Sequence, residues 1–380
     1  MVKKLFRFLR RLRFRHQPLV EITLSKERLL SNLHLFQKNN LGLGIAPVLK
    51  SNAYGHGLSL VAKIVDSENI PFIIVDSYHE ALVLRNEGIR SKILVIGYTP
   101  LENILRQKLK NTAFTIVSLE QLREISQTLR QPARFHLKID TGMHRQGLLP
   151  AGMDYALSLI RTNPNIVVEG ICSHLADADS TKPEFTKNQI KIWNEIVARL
   201  KKEFPNVLYF HLSPTCGAPY SENIMANVLR LGIGLYGIDP SEKKRTEELL
   251  PVLEMKSVIS GTKTIRKGEH IGYGATFEAP REMRIATIPA GYFEGIDRRL
   301  SNKGFVKVGK TFCPFVGRIS MNVSTIDVSD VPDATLNTPV VIISRNPADK
   351  NCIEKNAEIT GTIPYDLLVH ISQGLRRKVI

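Results

Sequence analysis

The feature that most constrains the fold is a regular alternation of two kinds of segment between about residues 45 and 235. Short runs rich in β-branched residues alternate with longer stretches whose apolar residues recur every three or four positions, as in amphipathic helices. The longer stretches include 77–87, 118–129 and 187–203. The short runs are 47–49, 72–75, 93–96, 113–116, 134–139, 166–171, 208–211 and 228–231. Eight β-then-α units predict a (β/α)8 TIM-type barrel, and a doubly wound open sheet is the alternative.

The pattern changes after about residue 243. Helical periodicity gives way to short alternating runs separated by Gly, Pro, Asn and Asp, which predicts a mainly β domain at the C-terminus. A short closing helix is predicted over 367–375, and the strand-like segment 20–24 fits either domain. The predicted β runs are 258–263, 283–289, 305–308, 324–328 and 340–344. We therefore expect a basic arm over 1–18, a barrel over 19–243 and a mainly β domain over 244–380.

The net charge of +16 is unevenly spread, with a strongly basic N-terminus and a moderately basic remainder. Seven basic residues precede the first acidic residue, Glu21, and apolar residues interleave with them. Such an arm could lie on an anionic membrane or touch RNA, whereas a solvated tail is the simpler interpretation. We expect no nucleic-acid partner. The seven are Lys3, Lys4, Arg7, Arg10, Arg11, Arg13 and Arg15.

The cysteines and the hydropathy exclude several classes of protein. Four cysteines, Cys172, Cys216, Cys313 and Cys352, lie far apart without paired spacing, which argues against a disulfide framework or a zinc ribbon. The chain also lacks an apolar run of membrane-spanning length. These observations predict a cytoplasmic protein without a metal site.

A lysine follows the first predicted barrel strand. Residues 47–57 read PVLKSNAYGHG, so that Lys50 stands where an apolar run meets a glycine-punctuated turn. Barrel enzymes place their chemistry at the carboxyl ends of the strands. Lys50 is therefore a candidate Schiff-base former, and a lysine that only solvates a loop is the alternative.

Two later loops have the composition of a phosphate site. Residues 212–218 follow the seventh predicted strand and include Thr215, and residues 230–234 follow the eighth and include Gly232 and Ile233. Small residues let backbone N–H groups approach phosphate oxygens, and barrel enzymes frequently bind phosphate at these two loops. The three segments together predict an amine and a phosphate cradle on one face of the barrel.

The segment around Lys50 closely resembles the pyridoxal-phosphate attachment segment of the alanine racemase family. Further segments resemble other site segments of that family in consistent order, from about residue 20 to the C-terminus. They are 138–147 (KIDTGMHRQG), 173–179 (SHLADAD), 230–233 (RLGI), 271–277 (IGYGATF), 316–321 (VGRISM) and 361–365 (GTIPY).

This resemblance implies a chemistry and a set of roles. Lys50 and Tyr273 would be the two bases that act on opposite faces of the substrate, while pyridoxal 5'-phosphate withdraws electrons. A tyrosine is a poor base at neutral pH, so neighbouring cations must stabilise its phenolate. Arg145 and the backbone of Met321 would bind the substrate, and Lys138 could be carbamylated. The implied cofactor contacts are Lys50, Tyr54, His174, Thr215, Arg230, Gly232, Ile233 and Tyr365.

Two departures from the family pattern bear on the substrate. Asn322 stands where the family usually has aspartate, and Pro214 and Thr215 replace an asparagine and a serine. The Thr215 hydroxyl can still bind phosphate, whereas Pro214 cannot supply an amide. The resemblance implies an isomerase that interconverts L- and D-alanine for peptidoglycan, and a racemase of serine or another small amino acid is the alternative.

Other functions and the assembly also follow from the resemblance. A related decarboxylase would carry a cysteine-aspartate pair, but Pro314 follows Cys313. A non-catalytic cofactor carrier would lack the second domain that bears Tyr273. The family further implies a homodimer with shared active sites.

Overall fold

The computed structural model describes residues 17–106, 108–241 and 248–380, except for the side chain of Ser221. The basic arm predicted over 1–18 lies almost entirely outside these residues. Contacts between Cα atoms divide the chain into two compact units. Of the described residues, one unit contains 25–252 with Val379, and the other contains 17–24, 253–378 and Ile380.

The first strand, β1 (Glu21–Leu24), belongs to the second unit because it pairs antiparallel with a later strand, Leu24 opposite Leu253. The predicted barrel range, 19–243, therefore differs at both ends from the unit over 25–252. The alternation of buried residues in a four-residue strand carries no information about its pairing partner. Backbone hydrogen bonds over long sequence separations decide that partner.

The unit over 25–252 is built from parallel strands and helices. Three of its helices begin at serine caps: the Ser25, Ser77 and Ser118 side chains each accept a hydrogen bond from the first turn of the helix that follows. Within the described residues the strands are β2 (Gly44–Pro47), β3 (Ile73–Val75), β4 (Ile93–Val95), β5 (Thr112–Ile116), β6 (Ala133–Lys138), β7 (Ile166–Cys172), β8 (Tyr209–His211) and β9 (Val228–Leu231). The helices are α1 (Lys26–Asn39), α2 (Lys50–Tyr54), α3 (Leu58–Val65), α4 (Tyr78–Asn86), α5 (Leu101–Leu105), α6 (Leu119–Thr128), α7 (Met153–Arg161) and α8 (Glu184–Glu203).

These parallel strands close into a barrel. Strands β3 to β8 form a six-stranded sheet in sequence order, and β2 pairs with β9. The Leu49 N–H donates to the Ile74 carbonyl at 2.7 Å, and the Asn227 N–H donates to the Phe210 carbonyl at 3.0 Å. These bonds join the two sheets on both sides, so the predicted barrel is confirmed and the open sheet is wrong. All carboxyl ends of the strands consequently lie at one edge.

The second unit is rich in antiparallel strands. Its further strands are β10 (Leu253–Val258), β11 (Gly261–Ile265), β12 (His270–Ile271), β13 (Phe277–Glu278), β14 (Met283–Ile288), β15 (Phe305–Val308), β16 (Thr311–Pro314), β17 (Ser324–Asp327), β18 (Pro339–Ile343) and β19 (Arg376–Val379). One sheet has the order β16-β15-β18-β10-β1-β19, a second has β11-β14-β17, and β12 pairs with β13. The helices are α9 (Ile353–Thr360) and α10 (Pro364–Val369). A mainly β domain at the C-terminus is therefore confirmed.

Two local predictions in this unit were wrong. The run 258–263 is divided between β10 and β11, and Ile259 and Ser260 lie between the two strands. The closing helix predicted over 367–375 ends at Val369, and β19 follows. The apolar spacing of the C-terminal segment does not distinguish a helix from a turn that leads into an edge strand.

Short 3-10 segments occur at 150–152, 215–223, 233–236, 273–275 and 298–300. Among the described residues, no helix is long and apolar enough to cross a membrane. The described residues also contain no group of three or more His, Cys, Asp or Glu side chains that could hold a metal ion.

Candidate active site

The turn that begins with Lys50 has an unusual backbone. Strand β2 ends at Pro47, three residues before Lys50. The Val48 N–H still donates to β9, and the Leu49 N–H still donates to β3. Residues 51–54 then have positive φ angles between 51° and 56°, a left-handed turn that costs roughly 1–2 kcal/mol per residue.

The Asn52 side chain and the Glu80 carboxylate hold this turn. The Asn52 side-chain oxygen accepts from the Leu58 N–H at 2.8 Å. The backbone N–H of Asn52 donates to the Glu80 carboxylate at 3.2 Å. Strain that surrounding contacts hold in place is typical of functional sites. The side chain of Lys50 is half-buried at the carboxyl edge of the barrel.

The guanidinium of Arg230, in β9, is buried, and both of its terminal nitrogens donate hydrogen bonds. One terminal nitrogen donates to the His211 Nδ1 and carbonyl, each at 2.8 Å. The other donates to the Ser173 carbonyl at 2.7 Å, the Leu212 carbonyl at 2.8 Å and the His174 Nδ1 at 2.9 Å. All five acceptors are uncharged. Arginine has no acceptor atom, so both imidazoles accept at Nδ1 and carry their proton on Nε2.

Four cations converge at this edge. Burial lowers the pKa of the Lys138 amine, the nearby Cys172 opposes that shift, and Arg145, Arg230 and Lys50 reinforce it. Burial also lowers the pKa of the His174 imidazole well below its usual range, and the same cations add to the effect. Such a cluster of positive charge favours a bound anion, such as a phosphate or a carboxylate.

The loop after β6 is tightly closed. The Leu148 N–H donates to the Lys138 carbonyl at 2.7 Å, and a Cβ on Gly147 would lie 2.6 Å from the Asp140 nitrogen. The Lys138 Nζ donates to the Gln146 Oε1 at 3.2 Å. From α8, the Gln189 side-chain amide donates to the Thr141 hydroxyl at 3.3 Å and to the carbonyl of His174 at 3.2 Å. Gln189 thereby joins the loops after β6 and β7.

Hydroxyl groups surround the backbone of Gly232. The Gly232 N–H donates to the Thr215 Oγ1 at 3.0 Å, and a Cβ on Gly232 would lie 3.1 Å from the Tyr54 hydroxyl oxygen. Burial, with a contribution from Asp76, raises the pKa of the Tyr54 phenol, so its hydroxyl remains a donor at neutral pH. Ile233 begins the next 3-10 segment. The absence of a Cβ at Gly232 preserves this cradle of donors, which fits a phosphate group.

The other predicted site residues lie in the second unit. Tyr273 begins a short 3-10 segment and is 69% exposed, and Met321 is 54% exposed. Tyr365 is half-buried in α10. The Asn322 side chain donates to the Glu294 carboxylate at 2.8 Å, and the same carboxylate accepts from the Gly291 N–H at 2.8 Å. Asn322 therefore fixes one loop against another.

The structure thus brings most of the predicted site together. The barrel unit carries Lys50, Tyr54, Lys138, Arg145, His174, Thr215, Arg230, Gly232 and Ile233. Tyr273, Met321 and Tyr365 belong to the second unit, and the roles of all these residues remain predictions.

Sequence reasoning missed His211, Gln189 and Gln146. His211 could have been found, because a histidine at the carboxyl end of a predicted barrel strand is a functional candidate. Gln189 and Gln146 gave no comparable signal, since one lies within a helical stretch and the other follows a predicted substrate residue.

Comparisons with known proteins agree with this arrangement. Residues 24–240 match the family model for the alanine racemase N-terminal domain, and residues 252–379 match the C-terminal domain. The chain is 35% identical to an alanine racemase of Sorangium cellulosum over 342 residues, 87% of this chain and 90% of that protein. It is 31% identical to alanine racemase 1 of Clostridium acetobutylicum over 373 residues, 97% of each.

Solved structures give the same result. The alanine racemase of Bacillus anthracis with bound L-Ala-P superposes with a TM-score of 0.88 at 28% identity, covering 97% of this chain and 96% of that one. An alanine racemase of Clostridium difficile 630 superposes with a TM-score of 0.87 at 29% identity, covering 97% of this chain and 96% of that one. Since both family models match and the curated relatives exceed 30% identity over most of their length, the chain belongs to the alanine racemase family.

Proposed function

We propose that this protein is an isomerase that interconverts L- and D-alanine with pyridoxal 5'-phosphate as its cofactor. The observation that carries the proposal is the convergence of Lys50, Lys138, Arg145 and Arg230 beside the hydroxyl cradle at Gly232. An amine, a phosphate-binding cradle and a cation for a carboxylate are the groups that binding the cofactor and an amino acid requires. Membership of the alanine racemase family supports the same conclusion.

The residues of the barrel would divide the work between them. The cofactor, when bound, supplies an electron sink for negative charge at the substrate Cα. Lys50 would hold the cofactor and would move a proton at one face of the Cα. Arg145 would bind the substrate carboxylate. A guanidinium does not give up its proton at neutral pH, so the ring nitrogen that Arg230 would face would receive no proton from it.

Tyr54, Thr215, Gly232, Ile233 and Tyr365 would hold the phosphate. His174 accepts from Arg230 at Nδ1, which leaves its Nε2–H as a donor. We assign the second base to the Tyr273 hydroxyl and a carboxylate contact to the backbone of Met321.

We also propose that Lys138 carries a carbamate. In that reaction the neutral amine nitrogen bonds to the carbon of CO2 and releases one proton. Burial and the nearby cations lower the pKa of Lys138, which raises its neutral fraction. The same cations would stabilise the negative charge of the product. Intact-mass measurement with and without bicarbonate should detect the mass of one CO2, and Lys138→Ala should lose it.

We further propose a cytoplasmic homodimer in which Tyr273 of one subunit acts with Lys50 of the other. This assembly gives each chain one isologous interface, the commonest symmetry of homo-oligomers. The product would supply D-alanine for peptidoglycan. The basic N-terminal arm could touch an anionic membrane, and its deletion should leave the racemase rate unchanged while it abolishes sedimentation with anionic vesicles.

Circular dichroism of the cofactor-loaded enzyme with each L-amino acid tests the function. We expect the signal of L-alanine to decay to zero, with L-serine slower. Lys50→Ala should abolish the decay, whereas Lys63→Ala, an exposed lysine of α3, is the matched control and should retain it. A faster decay for L-serine would favour the broader racemase, and no decay with any amino acid would refute the proposal.

A further inference from the structure

A chain of polar side chains extends from Arg230 through the interior of the barrel. Beyond the Arg230 contact, the His211 Nε2 lies 2.7 Å from the His136 Nδ1. The His136 Nε2 lies 4.0 Å from the Glu169 Oε2. Both imidazoles are fully buried, and Glu169 is only 6% exposed. A barrel interior is normally filled by branched apolar side chains, so this run of polar groups requires an explanation.

The chain has a defined direction. Arg230 can only donate, so the His211 ring accepts at Nδ1 and carries its proton on Nε2. That proton is donated to the His136 Nδ1, which places the proton of His136 on Nε2 and points it at Glu169. The orientation of Arg230 and the tautomers of both histidines therefore fix one another.

The local backbone is shaped to hold His136 and Glu169 in place. Phe135 pairs with Val168 and His136 pairs with Gly170, so Glu169 is an extra residue on β7. Such a bulge redirects a side chain, here into the barrel. A Cβ on Gly170 would lie 2.5 Å from the His136 Nδ1, so only glycine leaves room for this ring.

The far end of the chain is anchored by charge. The Glu169 Oε1 lies 2.6 Å from the Lys92 Nζ and 3.7 Å from the Arg134 Nε. Lys92 also donates to the Tyr209 hydroxyl at 3.2 Å. In the described part of the chain, the His136 Nε2 and the Glu169 Oε2 have no hydrogen-bond partner. An approach of about 1 Å would join them by a hydrogen bond.

We propose that His136 and Glu169 are positioning residues that act through His211 to hold the Arg230 guanidinium in one orientation. Each link removes an alternative: a rotated guanidinium would leave the His211 Nδ1 without its donor, and a His136 ring protonated on Nδ1 would oppose two N–H groups. Leaving a buried polar group unpaired costs about 1–3 kcal/mol. The proposal rests on the proposed function only for the task that Arg230 performs.

The first test measures the tautomers directly in the wild-type protein. Two-bond ¹H–¹⁵N spectra of histidine-labelled apoprotein should show both rings neutral with the proton on Nε2, from about pH 6 to about pH 8. The single variants His136→Asn and His211→Asn assign the two signals. An Nδ1–H tautomer or an imidazolium for either ring would overturn the proposal.

The second test displaces the His136 ring without removing a polar group. Gly170→Ala places a methyl group against that ring. We expect a loss of roughly tenfold in kcat with KM for alanine within about twofold, because a misplaced group costs rate even when substrate binding survives. The Nε2–H signal of His211 should also shift or broaden. The matched control is Gly261→Ala in β11, where the added Cβ would meet only an ordinary contact at 3.5 Å.

The outcomes separate this inference from the proposed function. Expected tautomers in a protein that racemises nothing would refute the function and leave the hydrogen-bonded chain standing. An active enzyme in which Gly170→Ala behaves like Gly261→Ala would refute the positioning role alone. If Gly170→Ala does not fold, the tautomers of the wild-type protein decide the matter.

Discussion

Lowering the pH should destabilise the barrel through its buried histidines. Burial is the largest cause that lowers the pKa of His136 to about 3, with Lys92 and Arg230 adding to it. Burial, Arg230 and His136 lower the pKa of His211 well below its usual range. Both rings therefore stay neutral in the folded protein at pH values where the unfolded chain, with an ordinary imidazole pKa of about 6.5, gains protons.

The sign and size of the effect follow from this difference. Because the unfolded state binds more protons below about pH 6.5, the free energy of unfolding falls as the pH falls towards the folded pKa. Between about pH 7.5 and about pH 5.5, each buried histidine should remove about 1.4 kcal/mol, or about 3 kcal/mol for the two. His174 is half-buried and should add to the same trend.

Urea unfolding of the apoprotein at a series of pH values provides the assay. Trp193 is the single tryptophan of the chain and is fully buried in α8, so its fluorescence reports the barrel unit. Whatever the effect of His136→Asn on stability at neutral pH, the fall in its free energy of unfolding between about pH 7.5 and about pH 5.5 should be smaller by about 1.4 kcal/mol than in the wild-type protein. His79→Asn, at an exposed position on α4, is the matched control. A pH dependence unchanged by His136→Asn would refute the reasoning.

Three further predictions concern the site and the fold. Gly232→Val should weaken affinity for pyridoxal phosphate at least tenfold in a fluorescence titration, because its Cβ would lie 3.1 Å from the Tyr54 hydroxyl; unchanged affinity would contradict the cradle. Mixed Lys50→Ala and Tyr273→Ala chains, reassociated from mild denaturant, should recover about a quarter of wild-type activity if the sites are shared in a two-fold dimer; no recovery in proven heterodimers would contradict the sharing. Gly237→Ala should lower the free energy of unfolding of the barrel by several kcal/mol or prevent folding, because φ is +85° and the added Cβ would overlap the Leu250 carbonyl oxygen. A urea midpoint like that of the wild-type protein would contradict this packing.

Local sequence patterns predicted much of the architecture. Helices α4 and α6 begin within one residue of the predicted starts, because the serine caps and the apolar spacing act over a few residues. The parallel strands could be recognised for the same reason, since buried strands of an α/β fold read as continuous apolar runs. The resemblance around Lys50 then indicated the chemistry.

The sequence alone determined where helices and strands form and which residue types could carry chemistry, because those signals depend on near neighbours. Only the tertiary structure decided that β1 pairs with Leu253–Val258, since that pairing depends on contacts between distant segments. It alone also placed His211, His136 and Glu169 in one chain behind Arg230. Their alignment depends on a bulge, a missing Cβ at Gly170 and the closure of the barrel, and those arise when segments far apart in sequence pack together.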